Sequence, residues 1–462
     1  MFTLEQLLEA GGGRVVRGRP RDGQRFTGGV IDSRVARPQT VFFALRDQRD
    51  GHDFVAAALA GGSSAAVVER IPEGVPDDAL LVVVPDVRLA LRRVAERIRA
   101  EHPIPGIGIT GSVGKTTTKE FAVAALGARF RVLRSEASFN NELGVPLTFL
   151  GLEATHEVCV IELGFYVPGE IADLCRLVRP TVGIVTAIPD QPPHFSRTPS
   201  LEAIASGKAE LLEALPADGT ALLNADDARV RGLAGRTRAQ VILFGESSDA
   251  TVRATEVQGR GPGGLAGTSF VVSSGGTSAP VVVPLPGRHL VTGALAAIGA
   301  AVALGVPLVE AATCVGTLEP PPHLMSVRRT SDGLVLIDDS YNASPAAVLA
   351  ALTVLGGVGT RRIAVLGDML ELGALSSDAH EAVGREAARS CDLLIGVGEL
   401  AATIVRVARS EGLALGYHAQ DRVEALVLLR RLCRPGDTIL IKGSHALALD
   451  ELADALVAPG QG

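Results

Sequence analysis

The segment TGSVGKTTTKE, Thr110 to Glu120, holds the densest set of residues able to do chemistry. It follows the apolar run GIGIT and opens a helical stretch, the setting that a phosphate loop requires. Gly111, Ser112, Val113 and Gly114 form a turn whose backbone N–H groups can face phosphate oxygens at a helix N-terminus. Lys115 is placed to reach the β and γ phosphates, Thr116 to offer a hydroxyl to Mg²⁺, and Thr117 continues the same nucleotide-binding run. Ile109 stands where the strict pattern has its first glycine, so the alternative is a Gly-rich strand-to-helix turn without a ligand. Lysine usage weighs against that alternative. Among 44 basic residues only Lys115, Lys119, Lys208 and Lys442 are lysines. Arginine meets the general need for positive charge, so each lysine asks where a primary amine is needed that a guanidinium cannot replace.

Glu162 closes the strand-like run VCVIEL, at the edge where open parallel sheets bind ligands. A Mg²⁺ ligand belongs there, and so does an ordinary salt-bridge partner or cap. Further on, His194 lies in a turn, Ser200 fits an N-cap and Lys208 falls on the helix that follows. Residue type alone leaves His194 a solvated loop histidine and Lys208 a wet-face lysine; only the rarity of lysine lifts Lys208 above that background. Lys119 acquires no role, and Lys119→Arg is expected to be mild.

The frame that must position these residues is α/β. At 462 residues the chain is long enough for about three domains. Short apolar runs such as VFFAL and SAAVVER predict a small mixed domain over residues 1–84, and ALLVVVP with an Arg-rich amphipathic helix (Val87 to Ala100) leads into the next part. Over 85–318, GIGIT, VCVIEL, TVGIVTAI, TALLN and VILFG alternate with helical stretches, which predicts a central, mainly parallel sheet of phosphate-loop type. Residues 250–285, rich in Gly, Ser and Val, predict antiparallel strands appended to it. After EPPPH, the runs LVLIDD, RRIAVLGD, CDLLIGVG and DTILIKG, each followed by a helix, predict a Rossmann-like domain over 319–462. Hinges are expected near residue 85 and at the Pro run before His323.

Composition excludes several classes. A formal net charge of −7, 3% aromatic residues and no Trp provide neither an electrostatic footprint for nucleic acid nor a stacking platform. No charged-then-apolar leader opens the chain, and its most apolar stretch, Gly293 to Val306, is well under membrane-spanning length, so a cytoplasmic protein without membrane insertion is expected. The five cysteines are odd in number and widely spaced, and read as small buried apolar residues.

Seven segments in order resemble the ATP-dependent Mur ligases. They are DSRVARPQTVFFALRDQRDGHDF, TGSVGKTTTKE, SFNNELGVPLTFL, ELGFYVPGEI, DDSYNASP, VLGDMLELG and IKGS. The resemblance implies a monomer that joins D-Ala-D-Ala to UDP-MurNAc-tripeptide through an acyl phosphate in peptidoglycan precursor synthesis, using ATP and two Mg²⁺ ions. It implies that Asp32, Ser33 and Arg34 contact the UDP-sugar and that Asn140 and Asn141 face the substrate and phosphates. Thr116 and Glu162 would serve one Mg²⁺. His194, fourteen residues before Lys208, would serve the second together with carbamylated Lys208, an anionic oxygen ligand of the kind Mg²⁺ prefers and Arg cannot form. Asp339, Tyr341 and Asn342 match a D-x-Y-N motif near the ribose and reacting groups, and Lys442 of K-G-S would reach the site on closure. The chain departs from the family pattern in the Pro-rich stretch AIPDQPPH around Ala187 and at Leu290, Gly293, His323 and His445. The first bears on the shape of the metal-side loop, and the other four touch base selectivity and ATP affinity more than reaction type. Another ligase of the same superfamily, including a folylpolyglutamate-type enzyme, and a noncatalytic nucleotide-gated binding protein are the alternatives.

Overall fold

A computed structural model describes residues 1–136 and 139–457; Ser138 of the SFNNELG segment lies outside the described residues. The fold is α/β, built on three larger sheets. In the first, strands Arg14–Arg17 (β1), Gly28–Val30 (β2), Thr40–Phe43 (β3), Ala65–Val68 (β4) and Leu81–Val83 (β5) lie in the order β1-β5-β4-β3-β2. All neighbours are parallel except β1 and β5. β3 and β4 are buried along their whole length, as continuous apolar runs in a parallel sheet should be.

The second sheet comprises Gly106–Thr110 (β6), Val132–Arg134 (β7), Val158–Glu162 (β8), Val182–Val185 (β9), Thr220–Asn224 (β10), Gln240–Gly245 (β11), Val252–Gly259 (β12), Thr268–Ser274 (β13) and Thr277–Val283 (β14). Its order is β14-β13-β12-β11-β10-β9-β6-β8-β7. The pairs β7/β8, β10/β11 and β11/β12 are parallel, whereas β12/β13 and β13/β14 are antiparallel, so the change of pairing expected at residues 250–285 is present. The third sheet contains Ser326–Arg329 (β15), Val335–Asp338 (β16), Arg362–Gly367 (β17), Leu393–Val397 (β18), Gly416–Ala419 (β19) and Thr438–Lys442 (β20), ordered β15-β16-β20-β17-β18-β19. Only the edge strand β15 is antiparallel.

The chain forms two compact units. The first is Met1–Gly108, Phe130–Gly164 and Gly169–Val182; the second is Ile109–Arg129, Phe165–Pro168 and the chain from Gly183 onward. In the first, helix Val87–Glu101 starts where Asp86 accepts a hydrogen bond from Leu89 N at 2.8 Å, and it buries Val87, Leu91, Val94 and Ile98 at three- and four-residue spacing. In the second, Leu336, Val365, Ile395 and Ile441 share one apolar core with Leu429 and Leu452 of the covering helices. Among the described residues no helix is long and apolar enough to cross a membrane.

A buried histidine ties the loops at the C-terminal ends of β3 and β4. His52 Nε2 accepts from Glu69 N at 2.9 Å, so its proton sits on Nδ1 and is donated to Asp50 Oδ1 at 2.6 Å. Hydrogen bonds from His52, the backbone N–H first, hold the Asp50 carboxyl down at about 2. His52→Ala would take away the half-buried Glu69 N–H's partner and the bonds to Asp50, and is expected to cost about 1–3 kcal/mol, measured by urea denaturation.

Candidate active site

β6 is wholly buried and ends at the loop Gly111–Gly114, after which helix Lys115–Gly127 begins. Gly111 has φ +147°, and a Cβ there would stand 1.9 Å from Thr186 Oγ1, so no other residue fits without displacing that side chain. Thr186, just beyond β9, straps the loop from below. Its hydroxyl donates to Val113 O at 2.6 Å, Ser112 N donates to Ala187 O at 2.8 Å, and Asn224 Nδ2 donates to Thr186 O at 2.8 Å. Lys115 folds back so that Nζ donates to Gly111 O at 2.9 Å, which holds the ammonium over the loop backbone. Among the described residues Ser112 Oγ and Thr118 Oγ1 are buried without a hydrogen-bond partner, a cost that a ligand oxygen would relieve.

Lys208 lies on helix Leu201–Glu213, whose N-terminus is capped by Ser200 accepting from Ala203 N at 3.1 Å. The residue is 2% exposed, and its amine sits 4.9 Å from the centre of the Phe165 ring. Gly207 makes room for that ring: a Cβ there would fall 2.0 Å from Phe165 Cε2. Burial first, and then the charge of Lys115, push the Lys208 amine well below the ordinary lysine value. It is therefore a buried amine whose charged form is disfavoured, unlike a solvated surface lysine.

His194 faces the same place. Its ring meets Tyr166 edge-on at 4.5 Å, and Arg197 stacks on the Tyr166 ring at 4.5 Å. Thr198 Oγ1 donates to Tyr166 O at 2.7 Å and fixes this layer. Burial first, then Lys115, Lys208 and Arg197, drive the imidazole down to about 3, so it is neutral and able to donate a lone pair. Lys115, His194 and Lys208 thus meet at one site, in the second unit.

In the first unit, Glu162 is buried at the end of β8 and accepts from Asn140 Nδ2 at 2.8 Å. Asn141 works as a helix start, its Oδ1 accepting from Leu143 N at 3.2 Å and Gly144 N at 2.9 Å. Asp32 caps the short turn Ser33–Val35, and its carboxylate takes the Arg34 guanidinium through both Nε and NH2.

Asp339, Ser340, Tyr341 and Asn342 follow β16. Lys442 is buried beneath them, with Nζ on the Asp339 carboxylate and 2.9 Å from Asn342 O. It holds the loop that carries Tyr341. Burial raises the Asp339 carboxyl despite that partner. His323 pairs with Asp338 through Nδ1 at 2.9 Å, and His445 lies against Tyr341 with ring centres 5.9 Å apart. Gly293 packs on the phosphate-loop helix, where a Cβ would come 3.0 Å from Thr118 Oγ1.

Burial overturns one expectation. Lys119 is fully buried, with Nζ 3.2 Å from Glu120 Oε1. A wider guanidinium cannot occupy that volume without moving its neighbours, so Lys119→Arg is expected to destabilise by about 1–3 kcal/mol, seen as a lower thermal midpoint. Reasoning from sequence also passed over Phe165, Tyr166 and Thr186. Tyr occurs only three times in the chain, and the adjacent aromatic pair in ELGFYVPGE was the available signal.

Residues 109–301 match the family model for the Mur ligase middle domain, and residues 325–445 match the one for the Mur ligase, glutamate ligase domain. The chain belongs to the Mur ligase family. Within that family it is 35% identical to the UDP-N-acetylmuramoyl-tripeptide–D-alanyl-D-alanine ligase of Mycobacterium bovis, with 99% of this chain and 98% of that one covered. The ligase of the same name from Escherichia coli K12 is 33% identical, over 92% of this chain and 93% of its own. Among solved structures, MurF from Acinetobacter baumannii superposes with a TM-score of 0.83 at 28% identity, covering 99% of both chains.

Proposed function

We propose that this chain joins D-Ala-D-Ala to UDP-MurNAc-tripeptide at the expense of ATP, in peptidoglycan precursor synthesis in the cytoplasm, as a monomer. The observation that carries the reading is the meeting of Lys115, His194 and buried Lys208 beside the phosphate loop, in a chain similar from end to end to ligases of that name. In this reading residues 1–84 hold the UDP-sugar through Asp32, Ser33 and Arg34. Residues 85–318 bind ATP, and residues 319–462 bring Asp339, Tyr341, Asn342 and Lys442 to the nucleotide and the reacting groups.

The residues present fit the two Mg²⁺ ions of the family. Among the described residues no group of three or more His, Cys, Asp or Glu side chains is arranged to hold a metal. The assigned donors are of mixed kind, however: the Thr116 hydroxyl, the Glu162 carboxylate, the neutral His194 ring and the Lys208 amine. The amine becomes an oxygen donor when its nitrogen attacks the carbon of CO₂, a C=O π pair moves to oxygen and the N–H proton leaves. Bound Mg²⁺ would supply neutralisation of phosphate charge. The chain's own residues do the rest. Backbone N–H groups of Ser112 to Lys115 and the Lys115 ammonium hold the β and γ phosphates in line with the tripeptide carboxylate, and Asn140 and Asn141 flank it. A carboxylate oxygen attacks the γ-phosphorus and ADP departs. The D-Ala-D-Ala amine then attacks the acyl carbon, inorganic phosphate departs and the amine gives up its proton.

Phosphate release with ATP, Mg²⁺ and both substrates, each omitted in turn, tests this. Release is expected to require all four. Release that ignores the dipeptide, or none at all, overturns the reading.

A further inference from the structure

The loop after β17 brings a carboxylate to His194. Its backbone is fixed from two sides: Met369 N donates to His380 Nε2 at 3.1 Å, and Leu370 N donates to Ser444 Oγ at 3.0 Å. His380 is buried and set by its own bond, Nδ1 donating to Ser376 O at 2.7 Å, while Ser444 N donates to Asp368 O at 3.0 Å. Ser444, the serine of K-G-S, thus supports this loop. At its tip Glu371 adopts φ +64°, opposite His194 with φ +67°. Ser196 N donates to Glu371 O at 3.2 Å, and Gly373 lies so close to Ser196 that a Cβ there would stand 2.9 Å from its Cα. The Glu371 carboxylate is in direct contact with His194 Nδ1, with the neutral ring turned off the hydrogen-bond line. Two non-glycine residues in the left-handed region, held face to face, cost about 1 kcal/mol or more each, and such strain persists where surrounding structure over-determines it.

We propose that Glu371 is a positioning residue for His194: its carboxylate accepts the Nδ1 proton, fixes the tautomer and leaves the Nε2 lone pair for a divalent cation. A metal-bound histidine commonly donates its other ring N–H to a carboxylate in this way. The charge distribution supports the pairing. Lys115 and Arg197 put positive charge around His194, and Glu371 is a carboxylate directly against it. In this arrangement the imidazole is oriented by the C-terminal part of the chain, which couples metal binding to the placement of the MLELG loop. The proposal rests on the reading of His194 as a metal ligand.

The test uses the full chain with ADP and Mn²⁺, following Mn²⁺ affinity by continuous-wave EPR and the imidazole nitrogen by its ¹⁴N modulation in pulsed EPR. The variants are Glu371→Ala, Glu371→Gln, Glu371→Gly and His194→Ala. Glycine suits φ +64°, so Glu371→Gly removes the carboxylate while keeping the fold. Removal of the carboxylate is expected to weaken Mn²⁺ at the imidazole site by about 10–100-fold, whereas Gln, which retains an accepting oxygen, stays within about threefold. Full ¹⁴N modulation and Mn²⁺ affinity within about twofold of the parent in the Ala and Gly variants, with His194→Ala losing both, overturn the positioning role alone. A loss in Glu371→Gln as large as in Glu371→Ala also overturns it. No ¹⁴N modulation in the parent overturns the ligand reading of His194, and this proposal with it.

Discussion

Lys208→Arg is expected to lower kcat/KM by about 10³-fold while leaving the chain folded, because charge is not what position 208 supplies. The lysine amine is buried over Phe165, and burial followed by the neighbouring Lys115 disfavours its charged form. A neutral amine can add CO₂; a guanidinium cannot lose its proton in a protein. Arg would therefore keep a cation over the Phe165 ring and remove the carbamylation that the proposed function requires. Two measurements separate this from crowding. ¹³C-bicarbonate should give a carbamate resonance in the parent that Lys208→Arg lacks, and the parent's activity should fall in CO₂-free buffer and return with bicarbonate. Lys208→Met, apolar and of similar length, should be equally inactive and at least as stable, since it buries no amine. A Lys208→Arg enzyme with more than about a tenth of the parent's activity would remove Lys208 from the mechanism.

How much of this was legible in the sequence differs residue by residue. The phosphate loop was legible because its chemistry is local: strand, glycine turn and helix are consecutive, and Gly111 to Thr116 lie where the pattern puts them. The sheets were legible from apolar runs, although the polar strand β19, Gly416–Ala419, gave no such run. Lys119 was misjudged by type when position was informative. Thr118, Ala122 and Ala125 repeat at helical spacing, as do Lys119, Ala122 and Leu126, so Lys119 falls on the buried face of its helix. Glu371 lay inside a quoted motif, but its value depends on a backbone with φ +64° and on a contact distant in sequence, and neither leaves a local pattern. Lys442 stands out in the sequence by the rarity of lysine. What it holds, the Asp339–Asn342 loop, depends on β16 and β20 being neighbours.

Gly111→Ala is expected to abolish nucleotide binding and to cost about 3 kcal/mol or more of stability. Two independent effects add. The backbone at φ +147° disfavours any L side chain, and the new Cβ would be driven to 1.9 Å from Thr186 Oγ1. Thr186 can yield only by giving up its hydrogen bond to Val113 O, the strap that fixes the loop's shape. A second substitution divides these effects. Thr186→Ala alone removes the strap and leaves the glycine unstrained, so it should cost about 1–2 kcal/mol and weaken ATP binding moderately. In the double variant the 1.9 Å clash with the hydroxyl is gone and only contacts of 3.1 Å or more remain, so the stability losses should fall short of additive by about 1 kcal/mol or more in a double-mutant cycle. ATP affinity, by contrast, should not recover, since the strap is missing and the loop still carries a side chain where backbone N–H groups must turn toward phosphate. Additive stability losses, or ATP binding restored in the double variant, would show that Thr186 does not set the loop. Calorimetric titration with ATP and denaturant unfolding of the four proteins in the cycle measure both quantities.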